Sequence, residues 1–211
     1  MADDRPLPPP RRRARLRSYL VPVAAGFLGT AAVALVVLAG RAAGGGEDDP
    51  ASLVAPVPTA VDATCLRGPS RDSQGTPTSY EPQRAVDGDL TTAWRCDGDG
   101  SGQSITLGFS GPARVAQVGI VPGLAKTDPG DGTDRHAQNR RIARVRITTD
   151  AGSSVETELD TAATNRAVQN VALGGLTARS VTITILSSVP GSPQSGHAAV
   201  DSVAIAEIAV R

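Results

Sequence analysis

The sequence predicts an all-β, antiparallel β-sandwich standing behind one membrane-spanning α-helix. Three observations carry that expectation. An uncharged apolar stretch of 22 residues, Tyr19 to Gly40, follows an arginine-rich start. Beyond it lie seven short apolar runs separated by Gly, Asp, Pro and Ser turns. None of those runs keeps the 3.6-residue spacing of a helix.

Residues 1–18 include RPLPPPRRRAR, a tail too polar and too proline-rich to fold alone. Residues 19–40, YLVPVAAGFLGTAAVALVVLAG, would rise roughly 33 Å as a helix, enough for a hydrocarbon core of about 30 Å. Arginines cluster before the stretch, whereas Glu47, Asp48 and Asp49 follow it. The positive-inside rule therefore puts the N-terminus in the cytoplasm and the remainder outside, as a single-pass protein of the cell membrane. A cleaved secretory signal is the competing reading, but its apolar core is usually about 7–15 residues. Both readings place the C-terminal portion outside the cytoplasm. Residues 41–62 are rich in Gly, Ala and Pro and read as a flexible tether, leaving 63–211 as the extracytoplasmic domain.

From Ala51 onward the chain holds 14 Lys and Arg against 16 Asp and Glu, so nothing electrostatic points to nucleic acid. Lys126 is the only lysine, which we read as the arginine bias of a GC-rich bacterial genome. Strands are expected at 104–109, 114–122, 142–149, 154–160, 167–173, 180–186 and 203–210. Alternation is clearest at Val145/Ile147, Val155/Thr157/Leu159 and Val181/Ile183/Ile185. Seven or more such strands make a sandwich.

The two cysteines, Cys65 and Cys96, both lie beyond the apolar stretch. In an oxidising compartment an even pair is expected to form a disulfide. A zinc site with His136 and His197 is the alternative, and it lacks the short paired spacings of zinc ligands.

In AVDGDLTTAW, Asp87-Gly88-Asp89 reads as a turn, and Trp94, the one tryptophan, as a core anchor. The plain account is a polar turn whose aspartates cap their own backbone. The sharper account is a calcium site, because hard cations gather carboxylate, hydroxyl and carbonyl oxygens. Strict alternation in VAIAEIAV places Glu207 on the face of Val203 and Ile205, and the shift of apolar positions to Ile208 and Val210 signals a bulge. A carboxylate on that side needs a partner.

AVDGDLTTAW, the run GQSITLGFSGPARVAQVGIV and the late AIAEIAV together resemble discoidin-like modules of the galactose-binding type. The resemblance implies an eight-stranded jelly roll and, in many members, a structural calcium. Carried over position by position, the ligands would be Asp87, Asp89, Thr92 and Glu207. A narrower match, GLAKTDPGDGTDRHAQNRRIARVRIT, resembles the NADase-type glycan-binding domain through Gly123, Lys126, Asn139 and Arg141. Leu124 stands where that branch has an aromatic, and Pro122 where an Asn commonly precedes the Gly.

The long connection 122–141 offers planar donors and acceptors suited to sugar hydroxyls, with Lys126, Asp134, Arg135, Asn139 and Arg141 as candidate contacts. The plainer expectation is an Asp134–Arg141 ion pair that pins the loop. Without an HExxH, nucleophile elbow or P-loop, no catalysis is expected. Glu156 and Glu158 alternate on one strand face and read as solvent-facing. The sequence thus points to a non-enzymatic, membrane-anchored module binding envelope glycan, or alternatively a protein partner at the cell surface.

Overall fold

The structure, a computed structural model, describes residues 55–211. The tail, the apolar stretch and the tether up to residue 54 lie outside the described residues.

The domain begins at β1 (Ala60–Ala63), followed by a small hairpin of β2 (Ser70–Arg71) and β3 (Pro77–Thr78). A 3-10 turn (Pro82–Ala85) leads to β4 (Trp94–Asp97) and the long β5 (Ser104–Pro122). One helical turn, α1 (Arg135–Gln138), precedes β6 (Arg141–Thr149), β7 (Ser154–Glu158), β8 (Gln169–Val189) and β9 (Ser202–Val210).

The pairing explains why this is a sandwich. The first half of β5 pairs with β1 on one side and with the second half of β8 on the other. Its second half pairs with the first half of β8 and with β9. Both long strands therefore pass from one layer to the other, turning the corner at register shifts between Gly108 and Ala113 and between Val115 and Gln117. Opposite the second shift, Gly174 and Gly175 both sit at a φ of +75°, a conformation that L-residues resist. The sequence alone suggests two strands in place of each long one, with breaks at Ser110–Ala113 in β5 and at Gly174–Arg179 in β8. The structure keeps them continuous because the antiparallel ladder resumes past each bulge.

The remaining strands complete the layers, β7–β6 joining the second half of β8 and β4 joining β9. Between the layers lies one apolar core. Trp94, Ile105, Leu107, Ile120, Ile147, Ile183 and Ile205 are fully buried in it, each contributing roughly 1.5–3 kcal/mol. Trp94 also satisfies its indole N–H on the Cys65 carbonyl, at 2.9 Å. Glu156 and Glu158 face solvent along the β7 edge, where charge discourages further strand pairing.

Two expectations change and one is met. β1 begins at Ala60, and the Thr59 N–H bonds the Gly108 carbonyl, so the sandwich claims residues placed in the tether 41–62. The expected disulfide between Cys65 and Cys96 is present, with Cα atoms 5.8 Å apart, and it excludes the zinc alternative. Finally, the bulge in β9 falls between the pairs Ile205–Pro122 and Glu207–Val121. It lies one step earlier than the apolar shift suggested, so Glu207 leaves the face of Val203 and Ile205 and turns to the opposite side from Ile208.

Candidate functional site

Two places collect polar side chains. The first is a cleft of about 170 Å³ between β4, the β2–β3 hairpin and the loop that follows β5. Period two explains its floor. Trp94 and Cys96 point into the sandwich core, so Arg95 points out the other side of β4. There the loop covers it, leaving the residue 5% exposed. Beside it, Ala93, Val121, Leu124, Ala204 and Ala206 form a small second apolar cluster. Leu124 belongs to this cluster and also lines the cleft.

Asp128 organises the loop. Its carboxylate accepts from the Ser73 hydroxyl, from the Gly130 N–H at 3.1 Å and from Arg135 Nη2 at 2.6 Å. Burial alone would raise its pKa. The bonds from Ser73, Arg135 and Gly130 prevail and hold it far below the usual carboxylate range. Asp134 caps α1, accepting from the N–H groups of His136 and Ala137 at 3.0 and 3.1 Å, and pairs with Arg166 at 2.7 Å. Arg141 donates to the carbonyls of Thr161, His136 and Ala137. The expected Asp134–Arg141 pair is therefore not formed, because each side chain meets unsatisfied loop and helix backbone first.

Of the five loop candidates, Lys126, Arg135 and Asn139 line the cleft. Asp134 and Arg141 instead build the loop from behind. Arg67, Arg71, Tyr80 and Arg95 also line the cleft and were not singled out from the sequence. The Arg95 guanidinium lies 4.8 Å from the Tyr80 ring centroid and donates to Asn139 Oδ1. Burial lowers its pKa, with Tyr80 acting in the opposite direction. The alternation of Trp94 and Cys96 was the one available signal for Arg95's direction.

The second place is the turn Asp87–Thr92. The Gly88 N–H donates to Glu207 Oε2 at 3.0 Å, so the structure brings the turn and the last strand together. The Asp87 carboxylate and the Thr92 hydroxyl approach to 2.9 Å. The same hydroxyl reaches the carbonyls of Asp89 at 3.0 Å and Arg84 at 3.2 Å. One hydroxyl proton cannot serve all of these acceptors. The cluster thus holds a surplus of oxygen lone pairs, a donor set that fits a hard cation such as calcium. Asp89 joins it through its backbone. Its carboxylate turns away to accept from the N–H and hydroxyl of Thr91, at 2.9 and 2.7 Å. Only two carboxylates therefore face the cluster, and among the described residues no three His, Cys, Asp or Glu side chains converge.

The family model for the NAD glycohydrolase translocation F5/8 type C domain matches residues 63–211. The chain belongs to that family. The match spans the whole sandwich except the start of β1. No curated protein matches the chain. Among solved structures, this F5/8 type C domain is similar to the family 32 carbohydrate-binding module of C. perfringens NanJ, determined in complex with galactose. That alignment has a TM-score of 0.51 at 20% identity and covers 74% of this chain and 97% of that one. The corresponding module of AlyQ, in complex with 4,5-unsaturated mannuronic acid, aligns with a TM-score of 0.48 at 20% identity, covering 73% and 95%. At such identity the likeness to the NanJ module is one of fold.

Proposed function

We propose that this F5/8 type C domain is a non-catalytic binding module, held outside the cytoplasm by the apolar stretch 19–40, whose cleft takes carbohydrate of the cell envelope. The observation that carries this reading is the cleft's lining. Arg67, Arg95, Arg135, Gln138 and Asn139 crowd planar hydrogen-bonding groups around about 170 Å³. Such groups bind hydroxyls directionally, and the space suits one sugar residue at the end of a chain better than a bulky ligand. That the fold is shared with the galactose-bound NanJ module supports the same reading.

Calcium belongs to the proposal as a structural ion. Asp87, Thr92, Glu207 and the carbonyls of Arg84 and Asp89 would hold it. Its charge would offset the repulsion between the two carboxylates. Glu207's pKa is raised, chiefly by burial and further by Asp87, against the Gly88 N–H, which pulls it down.

One observation favours a second reading, a protein-interaction domain at the cell surface. The cleft's aromatic, Tyr80, is only 7% exposed and is covered by Arg95, so it presents no open face for a sugar to stack on. A glycan array probed with the full chain, with and without chelator, separates the two. Binding to envelope glycans supports the first reading, and silence across the array supports the second.

A further inference from the structure

Arg95 is a buried cation without an ion-pair partner. Among the described residues no carboxylate lies within 4.0 Å of its guanidinium, although Arg67 pairs with Asp97, Lys126 with Asp72 and Arg135 with Asp128. Its Nε–H is buried and has no acceptor. Guanidinium stays charged in proteins, and a buried charge is normally paired. An orphaned donor on such a group calls for a partner that is not part of the fold.

Its surroundings hold it in place without neutralising it. Asn139 Nδ2 donates to the Arg135 carbonyl at 2.7 Å, which leaves Oδ1 to receive Arg95. The Tyr80 ring supports the flat face of the guanidinium. The cleft as a whole carries five cations, Arg67, Arg71, Arg95, Lys126 and Arg135, against Asp72 and Asp128.

We propose that the cleft selects acidic over neutral glycans, with Arg95 receiving the carboxylate of a uronate or sialate residue. This rests on the glycan reading above. A sugar hydroxyl would accept from the guanidinium but leave the charge uncompensated. A carboxylate does both, through a short charge-assisted bond to a planar donor already in position.

The test compares matched ligands on the full chain by calorimetry. A panel of uronate- and sialate-terminated oligosaccharides is titrated beside their methyl esters and their neutral parents. At least one acid is expected to bind about tenfold or more tightly than its ester, with the preference narrowing as salt rises. In Arg95→Gln the ratio should fall to about one, and in Arg95→Lys an intermediate preference should remain. Should Arg95→Gln not fold, the ester comparison on the unaltered chain decides alone. Equal binding of acid, ester and neutral parent overturns the acid preference and leaves the glycan reading standing. No binding by any member overturns both. An acid preference that survives in a folded Arg95→Gln removes Arg95 from the role.

Discussion

Glu207 accepts a hydrogen bond from the Gly88 N–H at 3.0 Å, across a sequence separation of 119 residues. The contact ties a turn near the start of the sandwich to its final strand, and it puts two carboxylates, Asp87 and Glu207, on one oxygen-rich cluster. Without a cation, the ionised form of Glu207 is disfavoured by burial and by Asp87. Its folded pKa lies above its unfolded one, so the chain carries a penalty at neutral pH that is relieved as pH falls through that window.

Calcium should reverse that sign. At about 100 times its Kd, an ion bound only by the native state stabilises by about 2.7 kcal/mol. For a domain of this size, that is a rise in melting temperature of roughly 5–10 °C. We expect calcium to raise the melting temperature and EDTA to lower it. Glu207→Gln should melt higher than the unaltered chain in EDTA and lose most of the response to calcium. Identical melting curves with and without EDTA, for the unaltered chain, would remove the metal from the account.

How much of this was legible in the sequence depends on which interactions are local. The alternation of Val181, Ile183 and Ile185 is imposed by burial of one strand face, so those residues announced themselves and lie in the core. Asp87-Gly88-Asp89 is a turn by its own chemistry, and its meeting with Glu207 followed from the resemblance. Arg95 was not legible. Period two gives its direction, but its burial depends on a loop some 30 residues later folding over β4. Asp134 and Arg141 were paired on paper because opposite charges seven residues apart in a loop invite it. The N-cap of a four-residue helix and a set of loop carbonyls took them instead.

The disulfide should matter to stability in proportion to the loop it closes. Cys65 and Cys96 are 31 residues apart. On the chain-entropy argument, a loop of that length contributes about 3–4 kcal/mol. Paired Cys65→Ser and Cys96→Ser substitutions, or reduction with dithiothreitol, should lower the unfolding free energy by about that amount in urea titrations. A loss well under 1 kcal/mol would mean that the fold restrains this loop equally well without the bridge.

Asp128 is the carboxylate on which the cleft loop depends. It is 2% exposed and holds Ser73, Arg135 and the Gly130 N–H together. Asp128→Asn leaves Arg135 without its nearest charge partner and should cost about 1–3 kcal/mol. Because the folded pKa is depressed, the contribution is fully present above the unfolded value of about 3.9 and fades as pH falls below it. The stability gap between the two proteins should therefore be constant from pH 5 to 8 and narrow below about pH 4. A gap that is absent at neutral pH would show that the loop is held by other contacts.

His136 should make the fold sensitive to mild acid. Its ring is 1% exposed, and the contact of Nδ1 with the Ala163 carbonyl at 2.9 Å requires the proton on Nδ1. Nε2 is left buried with no partner, against Gly123, whose lack of a side chain leaves the ring the space a Cβ would fill. Burial lowers its pKa first. Arg141 and Arg166 lower it further, while the Ala163 contact and Asp134 act the other way. Below the ordinary histidine value of about 6.5, the unfolded chain binds a proton that the native ring refuses. Stability from this residue is thus complete above that pH and declines as pH falls towards the folded pKa. In denaturant titrations from pH 8 to 5, the unaltered chain should lose stability over the lower half of the range. His136→Gln can still donate to Ala163 but cannot titrate, so its curve should be flatter. If the two curves run parallel through pH 6, the buried imidazole is not what senses the acid.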